Sequence, residues 1–177
     1  MKWLIIVAIA IVGLLIWRSV ASAGELPKIG EPAPEFALPD QNGKTRSLAE
    51  FRDKWLVLYF YPKDDTPGCT EQAARFRDAV QDLEALGAAV CGISVDASER
   101  HAAFARKYNL PFALLSDRSG AVAARYGSLR NFGVLKLAKR NTFLIDPQGR
   151  VARVYLGVNS AQNAGDVIED LRRLAQT

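Results

Sequence analysis

Cys69 stands where an aromatic strand gives way to a helix. The chain reads Tyr59-Phe60-Tyr61-Pro62-Lys63-Asp64-Asp65-Thr66-Pro67-Gly68-Cys69-Thr70, with an apolar run from Leu56 to Tyr61 stopped by Pro62. A polar turn follows, and a helical pattern begins at about Cys69. A thiol in the first turn of a helix faces the positive end of the macrodipole and backbone N–H groups that lack helical partners, and both favour thiolate over thiol. A hydroxyl at Thr66 and a cation supplied from elsewhere in the chain would complete a nest for a negatively charged sulfur. Cysteines that only fill a core sit on apolar stripes, whereas the neighbours here are Pro67, Gly68, Thr70 and Glu71. On spacing alone, a reactive and a structural sulfur both remain open.

The other candidates are weaker. Cys91 lies within Ala88-Ala89-Val90-Cys91-Gly92-Ile93-Ser94-Val95, a pattern for a buried central strand, where a small soft thiol fills space. Whether it could meet Cys69 in a disulfide is not decided by sequence. The one histidine, His101, falls in a helical segment and reads as a surface residue. No set of His, Cys or carboxylates has metal-ligand spacing, so neither a metal nor a cofactor is expected. Lys136, Lys139 and Arg140 form the one local basic cluster of a chain with formal charge +4. No aromatic residues interleave it in the manner of a nucleic-acid surface, and nucleic acid is not an expected partner.

The elements that must hold these residues alternate. Phe36-Ala37-Leu38 and Lys44-Thr45-Arg46 flank Asn42-Gly43, a hairpin signal. Ser47-Leu48-Ala49-Glu50 is a capping box. Strands are expected at Trp55–Tyr61, Ala88–Val95, Pro111–Leu115, Thr142–Ile145 and Val151–Leu156. Helices are expected from about Cys69 to Leu86 with Gly87 as the stop, over Ser98–Tyr108 with Ser98 as cap, over Gly120–Tyr126, and over Ala164–Ala175. This order specifies an α/β fold of thioredoxin-like type, a central mixed sheet flanked by helices with an N-terminal hairpin extension.

At 177 residues the chain accommodates one domain. Residues 36–177 form it, and the proline-rich residues 24–35 read as an extended linker. Residues 1–23 are different. Lys2 precedes an uncharged, mostly apolar run from Trp3 to Trp17, followed by Arg18 and Ala21-Ser22-Ala23. That is the composition of a signal peptide, although Trp3 and Trp17 could also frame a short membrane tether through residues 3–17. Either way the domain is expected outside the cytoplasm, in a bacterial periplasm or anchored to the inner membrane and facing away from the cytoplasm.

Pro62-x-x-x-Thr66-x-x-Cys69 resembles the active-site signature of peroxiredoxins, and the run Tyr61 to Thr70 is similar to the peroxiredoxin Q branch, also called bacterioferritin comigratory protein. The likeness continues through Phe76-Arg77-Asp78, Gly92 to Asp96, Phe104 to Phe112, Leu114 to Asp117 and Arg140 to Asp146, covering about residues 27–174. It implies a thiol-dependent peroxidase of antioxidant defence that reduces hydrogen peroxide and organic hydroperoxides. Cys69 matches the peroxidatic cysteine, which passes through a sulfenic acid. Thr66 matches the threonine whose hydroxyl serves the thiolate and the substrate, and Arg140 the arginine that faces the sulfur. Pro62, Pro67 and Gly68 would shape the loop. No cofactor is implied.

Two departures from the family pattern matter. Many members of the branch carry a resolving cysteine five residues after the peroxidatic one, where this chain has Ala74, and Cys91 replaces a usual aliphatic residue. A one-cysteine enzyme is therefore expected, reduced by an outside thiol, either a thioredoxin-like protein or a small thiol, and acting as a monomer or weak dimer. Ser128 to Lys139 also differs from the family loop, which bears on the outer wall of the pocket. Two rivals remain: an exported thioredoxin-like thiol–disulfide oxidoreductase, and a non-catalytic thiol-binding or holdase module. The first lacks its Cys-x-x-Cys, because the fourth position is Gln72.

Overall fold

The computed structural model describes residues 24–174. Its centre is a five-stranded mixed sheet in the order β5-β4-β3-β8-β9, built from β3 (Trp55–Phe60), β4 (Ala88–Ser94), β5 (Ala113–Ser116), β8 (Thr142–Ile145) and β9 (Val151–Tyr155). β3, β4 and β5 run parallel, and β8 and β9 run antiparallel to their neighbours. Buried on both faces, the central strands have near-continuous apolar sequences such as Leu56-Val57-Leu58-Tyr59-Phe60.

The period of two along β3 divides the core. Val57, Tyr59 and Tyr61 face one layer with Cys69, Phe76, Phe104, Val167 and Leu171. Leu56, Leu58 and Phe60 face the other with Cys91, Ile93, Val122, Tyr126 and Phe143. The first layer holds helices α1 (Pro67–Asp78), α2 (Val80–Ala85), α3 (Ser98–Tyr108) and α5 (Asn163–Leu174); α4 (Ala121–Arg125) belongs to the second.

The N-terminal hairpin pairs β1 (Ala37–Pro39) with β2 (Thr45–Ser47) across Asn42-Gly43. Asp40 Oδ1 fixes its turn by accepting from the N–H groups of Asn42 and Lys44. Ser47 caps a single 3₁₀ turn, its N–H donating to Glu50 Oε1 at 2.9 Å. The expected linker is packed: Gly30, Glu31 and Ala33 exchange backbone hydrogen bonds with Gly149 and Val151 at the start of β9.

Four sequence expectations change. The long helix after Cys69 breaks at Ala79 into α1 and α2. Ala97, not Ser98, occupies the extended N-cap position of α3. Residues 129–138, for which no strand is expected, form a two-stranded hairpin of β6 (Leu129–Phe132) and β7 (Leu135–Ala138), outside the central sheet and packed on the second core layer through Leu129 and Ala138. Gly133, at φ 80°, takes the first place of its two-residue loop, as a type II′ turn requires. His101 is fully buried rather than on the surface. The leader, residues 1–23, lies outside the described residues; among those described, no helix is long and apolar enough to cross a membrane.

Candidate active site

Pro67 begins α1 at the first helical position, where its missing N–H costs nothing, and Thr66 takes the extended N-cap conformation. The first helical bond of α1 runs from the Thr70 N–H to the Thr66 carbonyl at 2.8 Å. The N–H groups of Gly68 and Cys69 precede that bond and have no intrahelical acceptor. Cys69 is thus in the first turn, and its side chain is 1% exposed against the first core layer.

Arg140 reaches it across the fold from the junction between β7 and β8. Its Nη2 donates to Cys69 Sγ at 3.4 Å, and its Nη1 donates to Gln72 Oε1 at 2.8 Å and to the Gly68 carbonyl at 3.2 Å. Gly68 allows this approach, since a Cβ there would lie 3.1 Å from Arg140 Nη2. The Arg140 carbonyl accepts from the Val158 N–H, and Asn141 Oδ1 accepts from the Gly157 N–H, which holds the base of the side chain. Gln72 is oriented in turn: its Nε2 donates to Asn163 Oδ1 at 2.9 Å, and that oxygen also accepts from Thr142 Oγ1 at 2.8 Å. Gln72, Thr142 and Asn163 are all fully buried. A guanidinium fixed on two carbonyl-type oxygens, itself half-buried, therefore presents its remaining edge to the buried sulfur.

The loop from Pro62 to Thr66 is held from below. Asp64 is fully buried, and its Oδ1 accepts from the Tyr61 hydroxyl at 2.7 Å while its backbone N–H donates to Asp96 Oδ2 at 2.8 Å. Burial, reinforced by the Asp64 charge, pushes the Tyr61 phenol well above its ordinary pKa, so it remains a donor. His101 Nε2 faces the Leu115 carbonyl at 3.1 Å and so must donate; its Nδ1 lies 2.7 Å from Asp64 Oδ2. The outer side of the loop is tied by Asp65, whose carboxylate accepts from Lys107 Nζ at 2.8 Å and from the Tyr108 hydroxyl at 2.6 Å. Asp65 itself sits at φ 59°, a left-handed conformation that aspartate tolerates better than most residues.

The structure thus brings Thr66, Pro67, Gly68, Cys69 and Arg140 together, with half-buried Pro62 leading into the loop. Thr66 Oγ1 donates to the Lys63 carbonyl at 3.0 Å within its own loop, so serving the sulfur requires that hydroxyl to rotate. Ala74 is half-buried on α1. Cys91 is fully buried in the opposite core layer, across the sheet from Cys69, and both thiols are free. Burial pushes the Cys91 thiol far up from its usual pKa, which makes it a poor nucleophile. Sequence reasoning missed Asp64, His101, Thr142 and Asn163. A signal existed for His101: with Phe104 and Ala105 it follows the i, i+3, i+4 pattern of a buried helix face.

Residues 29–154 match the model of the AhpC/TSA family. The chain is 48% identical over 127 residues to a chloroplastic peroxiredoxin Q of Sedum lineare, covering 71% of this chain and 67% of that one. Among solved structures, it is similar to the peroxidoxin BcpB of Mycobacterium tuberculosis, with TM-score 0.80, 35% identity, and 84% and 98% of the two chains covered. It is also similar to the bacterioferritin comigratory protein of Xanthomonas campestris, studied for alkyl peroxide reduction, with TM-score 0.74, 30% identity, and 79% and 92% covered. With its α/β sheet and its helix-borne cysteine, the chain belongs to the AhpC/TSA family, in the peroxiredoxin Q or bacterioferritin comigratory protein branch.

Proposed function

We propose that Cys69 is the nucleophile of this thiol peroxidase and that the enzyme works with one cysteine. The observation that carries the reading is the Arg140 guanidinium, fixed 3.4 Å from Cys69 Sγ. The Cys69 thiolate attacks one oxygen of a hydroperoxide. A sulfur–oxygen bond forms as the O–O bond breaks, the departing oxygen leaves as hydroxide or alkoxide and takes up a proton, and the sulfur becomes a sulfenic acid. Negative charge moves from sulfur to the leaving oxygen, and Arg140 with the first-turn N–H groups is arranged to stabilise it along that path. Thr66, freed from Lys63, would orient the peroxide; Pro62, Pro67 and Gly68 shape the loop.

Reduction then comes from outside the chain. A thiol attacks the Cys69 sulfenic acid and expels water, and a second thiol resolves the mixed disulfide, returning Cys69 and supplying two electrons per peroxide. Ala74 cannot resolve, and Cys91 lies in the other core layer. Hydrogen peroxide and organic hydroperoxides are the substrate classes, and a thioredoxin-like protein or small thiol is the reductant. We place the domain outside the cytoplasm, because Lys2, the apolar run Trp3–Trp17 and Ala21-Ser22-Ala23 have the composition of an export leader or tether.

Mass spectrometry of the native protein after limiting peroxide tests the nucleophile and the one-cysteine cycle. One oxygen on Cys69 per peroxide, an unmodified Cys91, and loss of peroxide consumption in Cys69→Ser are expected. A Cys69–Cys91 disulfide would overturn the one-cysteine mechanism, and undiminished consumption in Cys69→Ser would overturn the nucleophile. The mass of the N-terminal peptide reports whether the leader is cut.

A further inference from the structure

The β6–β7 hairpin has features that the peroxidase chemistry does not use. Its two strands pair only with each other, and its tip carries Phe132, Val134 and Leu135, which are 64%, 106% and 54% exposed. Large apolar side chains adjacent to one another on a projecting turn are an unusual thing to leave in water.

The segment that carries them is basic. Residues 118–145 contain Arg118, Arg125, Arg130, Lys136, Lys139 and Arg140 and not one Asp or Glu. The other 17 of the chain's 23 basic residues are outweighed by all 19 acidic ones, so this segment accounts for the entire positive excess. Arg140 is committed to Cys69, and none of the other five forms an ion pair among the described residues. Beside the tip, Val134 and Leu135 join Lys63, Arg100, Arg118 and Lys136 around an open hollow of about 430 Å³. Asp96 offsets one of these cations, lying 3.2 Å from Arg100, and Lys136 Nζ donates to the Ser119 carbonyl.

The course of the chain supplies a direction. A Cβ on Gly127, two residues before β6, would lie 3.1 Å from the Gly24 carbonyl oxygen. The chain therefore passes from the leader into the domain at the foot of this hairpin. Gly24, where the described chain begins, and the base of the hairpin are thus neighbours.

We propose that the β6–β7 hairpin docks on the anionic surface of a lipid bilayer, with Phe132, Val134 and Leu135 in the interfacial layer and the surrounding cations among the headgroup phosphates. Three exposed side chains are far short of the roughly 800 Å² per partner of a stable protein interface. They suit shallow insertion, where apolar contact and attraction to anionic lipid act together. Each Lys or Arg near such a surface strengthens binding by about fivefold.

The test uses the full chain with vesicles of phosphatidylcholine alone or with about three-tenths phosphatidylglycerol, a composition chosen for its surface charge. Because the leader could itself hold the chain on either vesicle, the readout is backbone hydrogen exchange in residues 129–138. Protection of the tip amides is expected on the anionic vesicles, weakened by high salt and by Arg130→Gln, and abolished in Val134→Ser/Leu135→Ser. Cys69→Ser should dock as the wild type does, and the double variant should keep the wild-type far-UV spectrum, so lost docking is neither lost catalysis nor lost fold. A vesicle-bound chain whose tip exchanges as it does in solution would sink the proposal. So would tip protection in concentrated lipid-free protein that the double variant removes, since that would identify a second copy of the chain as the occupant.

Discussion

Arg140→Ala removes three donor contacts at once: one to Cys69 Sγ, one to Gln72 Oε1 and one to the Gly68 carbonyl. Two unit charges 3.4 Å apart attract by about 5 kcal/mol at an effective dielectric of 20, which bounds the effect from above. Removing one preorganised donor from a site that stabilises developing oxyanion charge costs about 2.7–4 kcal/mol, or 10²–10³ in rate. The second-order rate constant for Cys69 oxidation by peroxide should therefore fall by about 10²–10³. Arg140→Lys keeps the charge but places it on a single nitrogen, which cannot grip Gln72 and Gly68 while also facing the sulfur. It should fall between the alanine variant and wild type. Rapid-quench alkylation with mass detection gives the peroxide rate, and iodoacetamide alkylation of Cys69 provides a reference reaction with no departing oxygen. If the guanidinium stabilises the leaving oxygen, peroxide reduction suffers more than alkylation. A peroxide rate for Arg140→Ala within about threefold of wild type would refute the reasoning, being far below the cost of a lost donor. Equal losses in both reactions would confine Arg140 to the ground state of the sulfur.

Gln72→Leu should slow peroxide reduction by one to two orders of magnitude through misplacement of Arg140, and lower the unfolding free energy by about 1–3 kcal/mol by removing one of the two partners that Asn163 Oδ1 and Arg140 Nη1 each have; Gln72→Glu, which still accepts from Arg140, should be milder in rate. Cys91→Ala should leave peroxide turnover unchanged and cost about 1–2 kcal/mol in denaturant unfolding, as a small buried truncation does. The Asp65–Lys107 pair gives a pH signature. Donation from Lys107, with Tyr108 second, lowers the Asp65 pKa, and the bond to Asp65 raises that of Lys107. The pair's contribution is thus complete between the unfolded values of the two groups, roughly pH 4 to 10. It fades as pH falls through the depressed Asp65 pKa and as pH rises through the raised Lys107 pKa. Urea midpoints of Asp65→Asn should trail wild type at neutral pH, by less at high salt because both groups are exposed, and converge with it in strong acid.

What the sequence disclosed follows the range of the interactions involved. Cys69, Pro67 and Thr66 belong to one strand-to-helix junction, so local rules place them. The Asn42-Gly43 hairpin and the Ser47 cap are local in the same sense. Arg140 is 71 residues from Cys69, and only likeness to a known family pointed to it. Asn163, 91 residues from Gln72, gave no local sign of its role in aligning that amide. His101 was misread because its polarity was weighed above its periodicity: Phe104 and Ala105 on the same face had already indicated burial. The β6–β7 hairpin was passed over because Asn131-Phe132-Gly133-Val134 has apolar residues on both sides of its glycine, whereas turn recognition looks for polar ones.

The central sheet also acts as an insulating wall. With one sulfur on each side of it, an oxidised Cys69 finds no second thiol within its own chain, and nothing internal quenches it. Its fate becomes a race in which an arriving reductant restores the enzyme and a second peroxide carries the sulfur on to sulfinic acid, a damage state that ordinary thiols do not reverse. How long each molecule keeps working is then set by the supply of electrons around it rather than by its own fold.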